Sequence, residues 1–418
     1  MRLRIAVPGL VLLCALVLAA CGSSSSSSSG GGGGSSKASA KSSGAPLVIG
    51  LVPPSAGALA VFGKNEVQAW QFAADQANAA GGVDGHKVQL VTGSTDVTPA
   101  ATLRAARSLV LQKNAHFLGA IISSPEVAAL NPQLAGLNAV LFNSTAKDNF
   151  LTGAQCSANT VNVVQSAKMD TNQIGQSLSK LPAKKWAIVA EDYSTGHDSA
   201  AAFAAAVKKG GGTVVKTIYA PLNTTDFGAY ISQLGSSGAD GLFAVEYGAD
   251  GVAFVNQAAQ FGLLKKLKTF IGFNTVSEPL FPVLGKKILG FYNNIGYVHQ
   301  QPYPMNKTFA SAWKAKYGTD PYYVEADEYL AAEALFTAVK KAHSVDPTAV
   351  KAALKGLSFD SIDGPVSIRP ADMQVLRPSN LGQVVSQPGG AGGLGWKIIS
   401  TAPASSTTPS PDPSCHIS

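Results

Sequence analysis

The stretch WAIVAEDYSTGHDSAAAFAAAVKKGGGTVVKTIYA, residues 186–220, carries the pattern from which the fold follows. The apolar run Trp186–Ala190 is typical of a buried strand, the alanine-rich segment Asp198–Lys209 of a helix, and Thr213–Ala220 of a second strand. Strands that alternate with helices of this length form parallel sheets of the doubly wound kind. This stretch therefore predicts an α/β fold.

The same alternation extends in both directions along the sequence. Further strands are predicted at residues 47–52, 86–92, 117–122, 139–142, 241–245, 268–273 and 290–295. Further helices are predicted at residues 65–80, 100–113, 124–138, 226–234, 250–261, 307–317, 324–343 and 347–357. An irregular stretch near residues 156–164 divides the series, and residues 46–400 exceed what one core usually holds. The pattern therefore predicts two α/β lobes with parallel central sheets.

The N-terminal segment has the features of an export signal. Arg2 and Arg4 precede Val7–Ala20, which is apolar apart from a Pro-Gly pair and shorter than the roughly 20 residues of a membrane span. Leu18–Cys21 resembles the lipobox of bacterial lipoproteins, which implies cleavage before Cys21, a diacylglycerol thioether on its sulfur and usually a further acyl chain such as palmitate. The alternative is an ordinary secretory signal with an incidental cysteine.

A flexible tether follows this signal. Residues 21–45 consist largely of serine and glycine, a composition that forms flexible coils. We expect residues 1–20 to be the signal peptide and residues 21–45 to hold a folded domain away from the membrane. The predicted location is extracytoplasmic, on the periplasmic side or cell surface, with membrane contact only through the lipid on Cys21.

Composition restricts the partners and the state of the cysteines. The net charge is +7 with 14% charged residues, and no Lys/Arg run suggests nucleic-acid binding. Residues 401–418 are rich in Ser, Thr and Pro, which predicts a mobile tail. Cys14 leaves with the signal, so Cys156 and Cys415 remain in an oxidising compartment, either as a disulfide or as two free thiols.

Polar residues follow several predicted strands, where ligands of open α/β sheets bind. In the first lobe these are Ser123-Ser124 and Asn143-Ser144-Thr145, and in the second they are Glu191–Gly196, Glu246–Asp250 and Asn274-Thr275. One lobe thus offers neutral donors and a helix start, and the other offers aromatic rings and carboxylates. A cleft between the lobes would suit a small polar or zwitterionic ligand. The structural alternative is that Ser124 and Asp250 cap helices and that Tyr247 packs.

The stretch NAAGGVDGHKVQLV, residues 78–91, resembles the periplasmic branched-chain amino acid (Leu/Ile/Val) binding proteins, the type I solute-binding fold of ABC importers. Further similar stretches are GAIISS, residues 119–124, and DEYLAAEAL, residues 327–335. The resemblance implies three crossovers near Val164, Gly296 and Gly364. It places residues 46–163 and 297–364 in lobe 1, and residues 164–296 and 365–400 in lobe 2.

The resemblance also implies ligand-binding positions. Thr195 stands where the family has a tyrosine, although Tyr193 lies two residues earlier, and Asn274 stands where the family has its amine-binding glutamate. Glu246 or Asp250 could replace that charge, or the ligand could lack the amine. The candidate ligand-binding residues are Phe62, Ser123, Ser124, Ser144, Thr145, Ala146, Tyr193, Thr195, Glu246, Tyr247 and Asn274.

These features predict a solute-binding lipoprotein that captures an amino acid, an amide or a related carboxylate between closing lobes and delivers it to ABC importer permease subunits. The Asn274 departure favours a ligand other than a plain branched-chain amino acid. The alternative function is a ligand sensor for a signalling partner. We expect a monomer without catalytic activity, metal or other cofactor, since no HExxH, GxSxG or P-loop motif is present.

Overall fold

The structure is a computed structural model, and it describes residues 44–417. The predicted signal peptide, the predicted lipidation site Cys21 and nearly all of the predicted tether lie outside these residues. Every helix within residues 44–417 is too short or too polar to span a bilayer.

Helices and strands alternate over most of the described residues, as the sequence pattern predicts. The strands are β1 (Leu47–Leu51), β2 (Val88–Thr92), β3 (Phe117–Gly119), β4 (Val140–Asn143), β5 (Thr160–Asn162), β6 (Lys185–Glu191), β7 (Thr213–Ala220), β8 (Gly241–Val245), β9 (Thr269–Gly272), β10 (Tyr292–Ile295), β11 (Ser358–Ser361), β12 (Gly364–Arg369), β13 (Gln374–Leu376), β14 (Ser379–Ser386) and β15 (Leu394–Ala402). The helices are α1 (Ala60–Ala79), α2 (Pro99–Lys113), α3 (Ser124–Leu134), α4 (Ala167–Leu178), α5 (Ser194–Lys209), α6 (Gly228–Gly235), α7 (Gly248–Gln260), α8 (Phe281–Leu284), α9 (Pro304–Tyr317), α10 (Tyr323–Ala342), α11 (Pro347–Leu354) and α12 (Ala404–Thr407).

Two sheets form the centres of two lobes. The sheet of lobe 1 has the order β11-β12-β13-β5-β4-β3-β1-β2, and that of lobe 2 has the order β15-β14-β10-β9-β8-β6-β7. Strands β1–β5 pair in parallel, as do β6–β10. The two-lobed α/β fold is therefore the one predicted, with a mainly parallel sheet in each lobe.

The strands after residue 357 depart from the predicted parallel arrangement. β11 pairs antiparallel with β12, and β12 with β13, while β14 pairs antiparallel with both β10 and β15. The pairs β11–β12, β12–β13 and β14–β15 are consecutive strands joined directly by turns, which makes them antiparallel, whereas β10 and β14 are far apart in sequence. The sheets are thus mixed.

Each lobe has its own apolar core of large aromatic side chains. In lobe 1, Trp70 of α1 packs edge-on against Phe142 at 6.3 Å, and Phe72 packs against Trp313 of α9 at 5.2 Å between ring centroids. In lobe 2, Phe203 of α5 stacks on Phe243 of β8 at 4.0 Å. Burial of such rings on both faces of each sheet stabilises the lobes separately.

The structure corrects the predicted position of the third crossover. Gly364 begins β12, which belongs to the sheet of lobe 1, so the chain does not leave lobe 1 there. It leaves between β13 and β14, at Arg377-Pro378. Lobe 1 therefore includes the hairpin strands up to residue 376, and lobe 2 begins again at residue 379.

Buried polar contacts tie the three crossovers together. Arg377 of the third crossover donates to the carbonyl oxygen of Gly296 in the second, at 3.0 Å. Gln165 of the first crossover donates through Nε2 to the carbonyl oxygen of Pro378, at 2.8 Å. Arg377 is fully buried and also lies 2.5 Å from Asp327 and 2.6 Å from Asp363. The three crossovers form the hinge between the lobes, and the Arg377 guanidinium with the Asp327 and Asp363 carboxylates stabilises it.

Residues 403–417 are packed against the protein, which corrects the prediction of a mobile tail. Asn172 and Gln176 of α4 donate to the carbonyl oxygens of Thr407 and Ser406, and the Thr407 side chain is buried. Cys415 forms a disulfide with Cys156, with a Cα–Cα distance of 5.6 Å. Of the two states considered for these cysteines, the structure contains the bonded one.

Candidate functional site

A cavity lies between the lobes, at the carboxyl ends of both parallel sheets. Eight of the eleven predicted ligand-binding residues line it, namely Phe62, Ser124, Thr145, Ala146, Tyr193, Thr195, Tyr247 and Asn274. Five further residues line it that the sequence did not single out, namely Leu59, Ile122, Lys147, Tyr323 and Val324. Strand-end residues of both lobes therefore converge as the topology requires.

The two lobes touch each other across this cavity. The hydroxyl oxygens of Ser124 and Thr195 are 3.0 Å apart, and the N–H of Asn149 donates to Asp198 at 2.9 Å. The cavity volume is only about 40 Å³, whereas ligand pockets are usually about 300–1,000 Å³. The structure is thus a closed arrangement, and a ligand has to replace the Ser124–Thr195 contact.

The start of α3 determines which serine faces the cavity. One carboxylate oxygen of Glu126 accepts two hydrogen bonds from Ser123, one from the backbone N–H at 3.0 Å and one from the side-chain hydroxyl at 2.7 Å. The second oxygen of Glu126 accepts the hydroxyls of Thr95 and Thr102. Ser123 is therefore a helix cap with an occupied hydroxyl, and Ser124 is the residue on the cavity wall. Ser123, predicted as a ligand contact, does not line the cavity.

The turn after β4 supplies Thr145, Ala146 and Lys147. Asn143, the last residue of β4, closes this turn, because its side chain both donates to the carbonyl oxygen and accepts the N–H of Ala146 at 2.9 Å. Ser144, also predicted to bind the ligand, is buried and does not line the cavity. The turn thus presents only the three residues after Ser144.

Glu246 does not line the cavity either, because alternate side chains of a strand point to opposite faces. Its carboxyl group is buried without a hydrogen-bond partner among the described residues. Burial, with the nearby Glu191 and Asp250 charges, raises the pKa of Glu246 well above its usual value, and burial raises that of Glu191 to about 8. Burial thus disfavours the charged form of both groups, so neither is a favourable source of negative charge.

Asp250 is the other candidate for that charge, and it is occupied elsewhere. One of its carboxylate oxygens accepts the N–H of Asn223 at 2.6 Å, and Asp250 does not line the cavity. Among residues 44–417, none of those that line the cavity carries a carboxylate. Asn274 lines the cavity instead, with a neutral amide side chain and a left-handed backbone at φ 53°. The wall itself therefore offers an ammonium group no anionic partner, and the carboxyl group of Asp148 lies behind it, beside the Ser124 and Thr195 hydroxyls.

The cavity has an aromatic wall. Phe62 of α1, Tyr193, Tyr247 and Tyr323 line it, and the hydroxyl of Tyr247 has no hydrogen-bond partner among the described residues. Tyr323 was not predicted because it begins α10, which reaches the cleft only through the tertiary fold. These rings and the neutral donors suit a flat or apolar body with a polar end.

Lys147 is the one lysine or arginine on the cavity wall, and it joins the lobes. Its Nζ lies 2.6 Å from the Asp170 carboxylate of α4, and both side chains are buried. Asp170 also accepts from the Asn294 amide at 3.0 Å. Lys147 follows Ala146 directly, so the predicted strand-end positions stopped one residue before it.

Comparison with known proteins agrees with this geometry. Residues 46–391 match the sequence profile of the periplasmic binding protein family. The chain is 28% identical over 328 residues to the Leu/Ile/Val-binding protein homolog 8 of Brucella abortus (strain 2308), covering 75% of this chain and 81% of that protein.

Two solved structures of solute-binding proteins of ABC transporters have the same fold. One, from Rhodopseudomonas palustris BisB5 in complex with 3,4-dihydroxybenzoic acid, is 25% identical with a TM-score of 0.79 and covers 86% of this chain and 98% of that one. The other, from Rhodopseudomonas palustris HaA2 in complex with p-hydroxybenzoic acid, is 26% identical with a TM-score of 0.78 and the same coverage.

Proposed function

Because the chain belongs to the periplasmic binding protein family, we propose that it captures a small carboxylic acid without an α-amino group and delivers it to an ABC importer permease. An aromatic acid such as a hydroxybenzoate is the ligand class with the best support. The ligand binds between the lobes and holds them closed, since it contacts both only in the closed form. No chemical step is involved.

The observation that carries this proposal is the cavity wall, which has hydroxyl donors and aromatic rings but no carboxylate. A desolvated ammonium group is costly without a negative partner, so an amino acid would bind poorly. A carboxylate can instead accept the hydroxyl of Ser124, in the first turn of α3, in place of the Ser124–Thr195 contact. Lys147 lies on the same wall, where its ammonium group is paired with Asp170. The benzoates bound by the two Rhodopseudomonas proteins are ligands of this class.

A binding screen tests the ligand class. Titration calorimetry should detect 4-hydroxybenzoate or a related acid, and thermal shift should detect it as a raised melting temperature, since ligand at 100 times Kd adds about 2.7 kcal/mol of stability. We expect leucine, isoleucine and valine not to bind in the micromolar range. Micromolar binding of any of these three amino acids would refute the proposed class.

Substitution of the two adjacent serines separates ligand contact from helix capping. Ser124→Ala should weaken carboxylate binding by about 1–3 kcal/mol, because it removes a buried donor from the cavity wall. Ser123→Ala is the matched control and should lower stability by about 0.5–2 kcal/mol, through the lost cap, with unchanged affinity. Calorimetry and urea unfolding measure both effects. If Ser123→Ala loses more ligand affinity than Ser124→Ala, then Ser123 and not Ser124 contacts the ligand.

We also propose that the protein is anchored through a lipid on Cys21, on the sequence pattern of residues 18–21. A lipid-modified protein enters the detergent phase in Triton X-114 partition. The Cys21→Ser variant should remain in the aqueous phase. If both forms partition alike, the anchor proposal fails.

A further inference from the structure

A second cavity, of about 480 Å³, lies between the lobes and is separate from the first. Lobe 1 contributes Tyr322 and Glu325 to its wall, and lobe 2 contributes Glu278 and Trp396. The start of α10 divides the two cavities, since Tyr322 lines the second and its neighbour Tyr323 lines the first. The second cavity is large enough for a small organic molecule.

The wall of this cavity carries three carboxyl groups, of Glu278, Asp320 and Glu325, and one lysine. Lys314 on the wall pairs with Asp320 at 3.0 Å. Glu325, which is almost fully buried, accepts from the Asn65 amide at 2.6 Å and from the N–H of Tyr322 at 3.2 Å. Neither Glu278 nor Glu325 has a cationic partner among the described residues. Two carboxylates in a partly desolvated cavity favour a ligand that carries a positive charge.

Aromatic side chains complete the wall. Tyr322 is 2% exposed and Trp396 is 7% exposed, and both line the cavity. The Tyr322 hydroxyl has no hydrogen-bond partner among the described residues, whereas the Trp396 indole N–H lies beside the Glu278 carboxyl group. Aromatic rings beside carboxylates attract ammonium groups through cation–π interactions, and the Tyr322 hydroxyl can donate to a ligand oxygen.

From these contacts we propose that the second cavity binds a small organic ammonium ion with a hydroxyl or carbonyl oxygen, held between Glu278 and Glu325. Because the two carboxylates belong to different lobes, the bound cation bridges the lobes. This site is independent of the carboxylic acid ligand of the first cavity. It gives the protein a second ligand of opposite charge.

The protonation of the wall makes this binding depend on pH. Burial raises the pKa of Glu278 to about 7 and that of Glu325 to about 8. Burial lowers the pKa of His299, so this ring is neutral when the carboxyl groups titrate. The ionisable groups around the two glutamates are His299, Lys314, Asp320 and Tyr322. A cation requires both glutamates ionised, so its affinity rises with pH through this range, at least tenfold between pH 6 and about 8.5.

Choline chloride and its neutral isostere 3,3-dimethylbutan-1-ol test the proposal by calorimetry on the full chain. Choline should bind saturably at pH 8.5, and the isostere should not. Glu278→Gln should weaken choline binding at least tenfold, because it removes a half-buried carboxylate without changing shape. Asp75→Asn, which removes a surface carboxylate on α1, is the control and should stay within twofold of wild type.

The two cavities can be distinguished in the same experiment. Choline binding should persist in the presence of saturating 4-hydroxybenzoate and in Ser124→Ala, whereas the first ligand should be insensitive to Glu278→Gln. If Glu278→Gln does not fold, the affinity of Glu325→Gln for choline tests the same site. Equal binding of the isostere, an unchanged affinity in both glutamine variants, or no saturation by choline, tetramethylammonium and ethanolamine at about 20 mM would overturn the proposal.

Discussion

The Gly248→Ala variant is expected to bind the ligand of the first cavity roughly 100-fold more weakly than wild type, a loss of about 2.7 kcal/mol. Gly248 begins α7 in lobe 2, and a Cβ there would overlap the carbonyl oxygen of Ala58 in lobe 1. The N–H of the next residue, Ala249, donates to that same oxygen at 3.3 Å. An added methyl group therefore holds the lobes apart, and a ligand that needs both lobes loses one of its walls.

Backbone strain has to be separated from this clash. Gly248 has φ +52°, where any residue with a Cβ is disfavoured by roughly 1 kcal/mol. Gly262→Ala is the matched control, because Gly262 has φ +74° and a Cβ there would have no heavy atom within 4 Å. Both variants should lose similar stability, but only Gly248→Ala should lose affinity for 4-hydroxybenzoate and keep an expanded radius of gyration in X-ray scattering. Equal affinities would contradict the closure mechanism.

Arg377→Met should have the largest effect on stability, about 3–5 kcal/mol in urea unfolding. The substitution leaves Asp327 and Asp363 buried without their cation and removes the donor to Gly296, so two crossovers lose their connection. Arg377→Lys keeps the charge but not the planar set of donors, and an intermediate loss is expected.

An exposed ion pair serves as the control for Arg377. Lys316 lies 2.6 Å from Asp75, with both side chains more than 40% exposed, so Lys316→Met should cost at most about 1 kcal/mol. If Arg377→Met costs no more than Lys316→Met, then the buried network does not stabilise the hinge.

The sequence was most informative where helices and strands alternate. Strands β7 and β8 have the predicted bounds, and the strand ends that the parallel topology brings together do line the cavity. The antiparallel strands after residue 357 were missed, because segments such as SFDS and GPVSIR lack a continuous apolar run. The third crossover was consequently predicted too early, at Gly364. This residue begins β12, whose place in the sheet of lobe 1 depends on pairing with β11 and β13.

The candidate site was predictable to within about one residue, and its errors have local causes. Ser123 and Ser124 are equally good donors in sequence, and the difference arises because Glu126 occupies the first. Tyr247 lines the cavity and Glu246 does not, because successive side chains of an extended segment point to opposite sides. The second cavity could not be anticipated, since Glu278, Tyr322 and Trp396 come from segments far apart in sequence.

The disulfide between Cys156 and Cys415 also determines what happens when the protein is cut by a protease. It closes a covalent ring, with 259 residues of sequence separation, that contains every strand of lobe 2. A single cleavage in any loop of this ring leaves two fragments that are still joined through sulfur. The nicked protein therefore keeps both walls of its ligand cavity on one covalent assembly, and separates into fragments only after a second cut or after reduction.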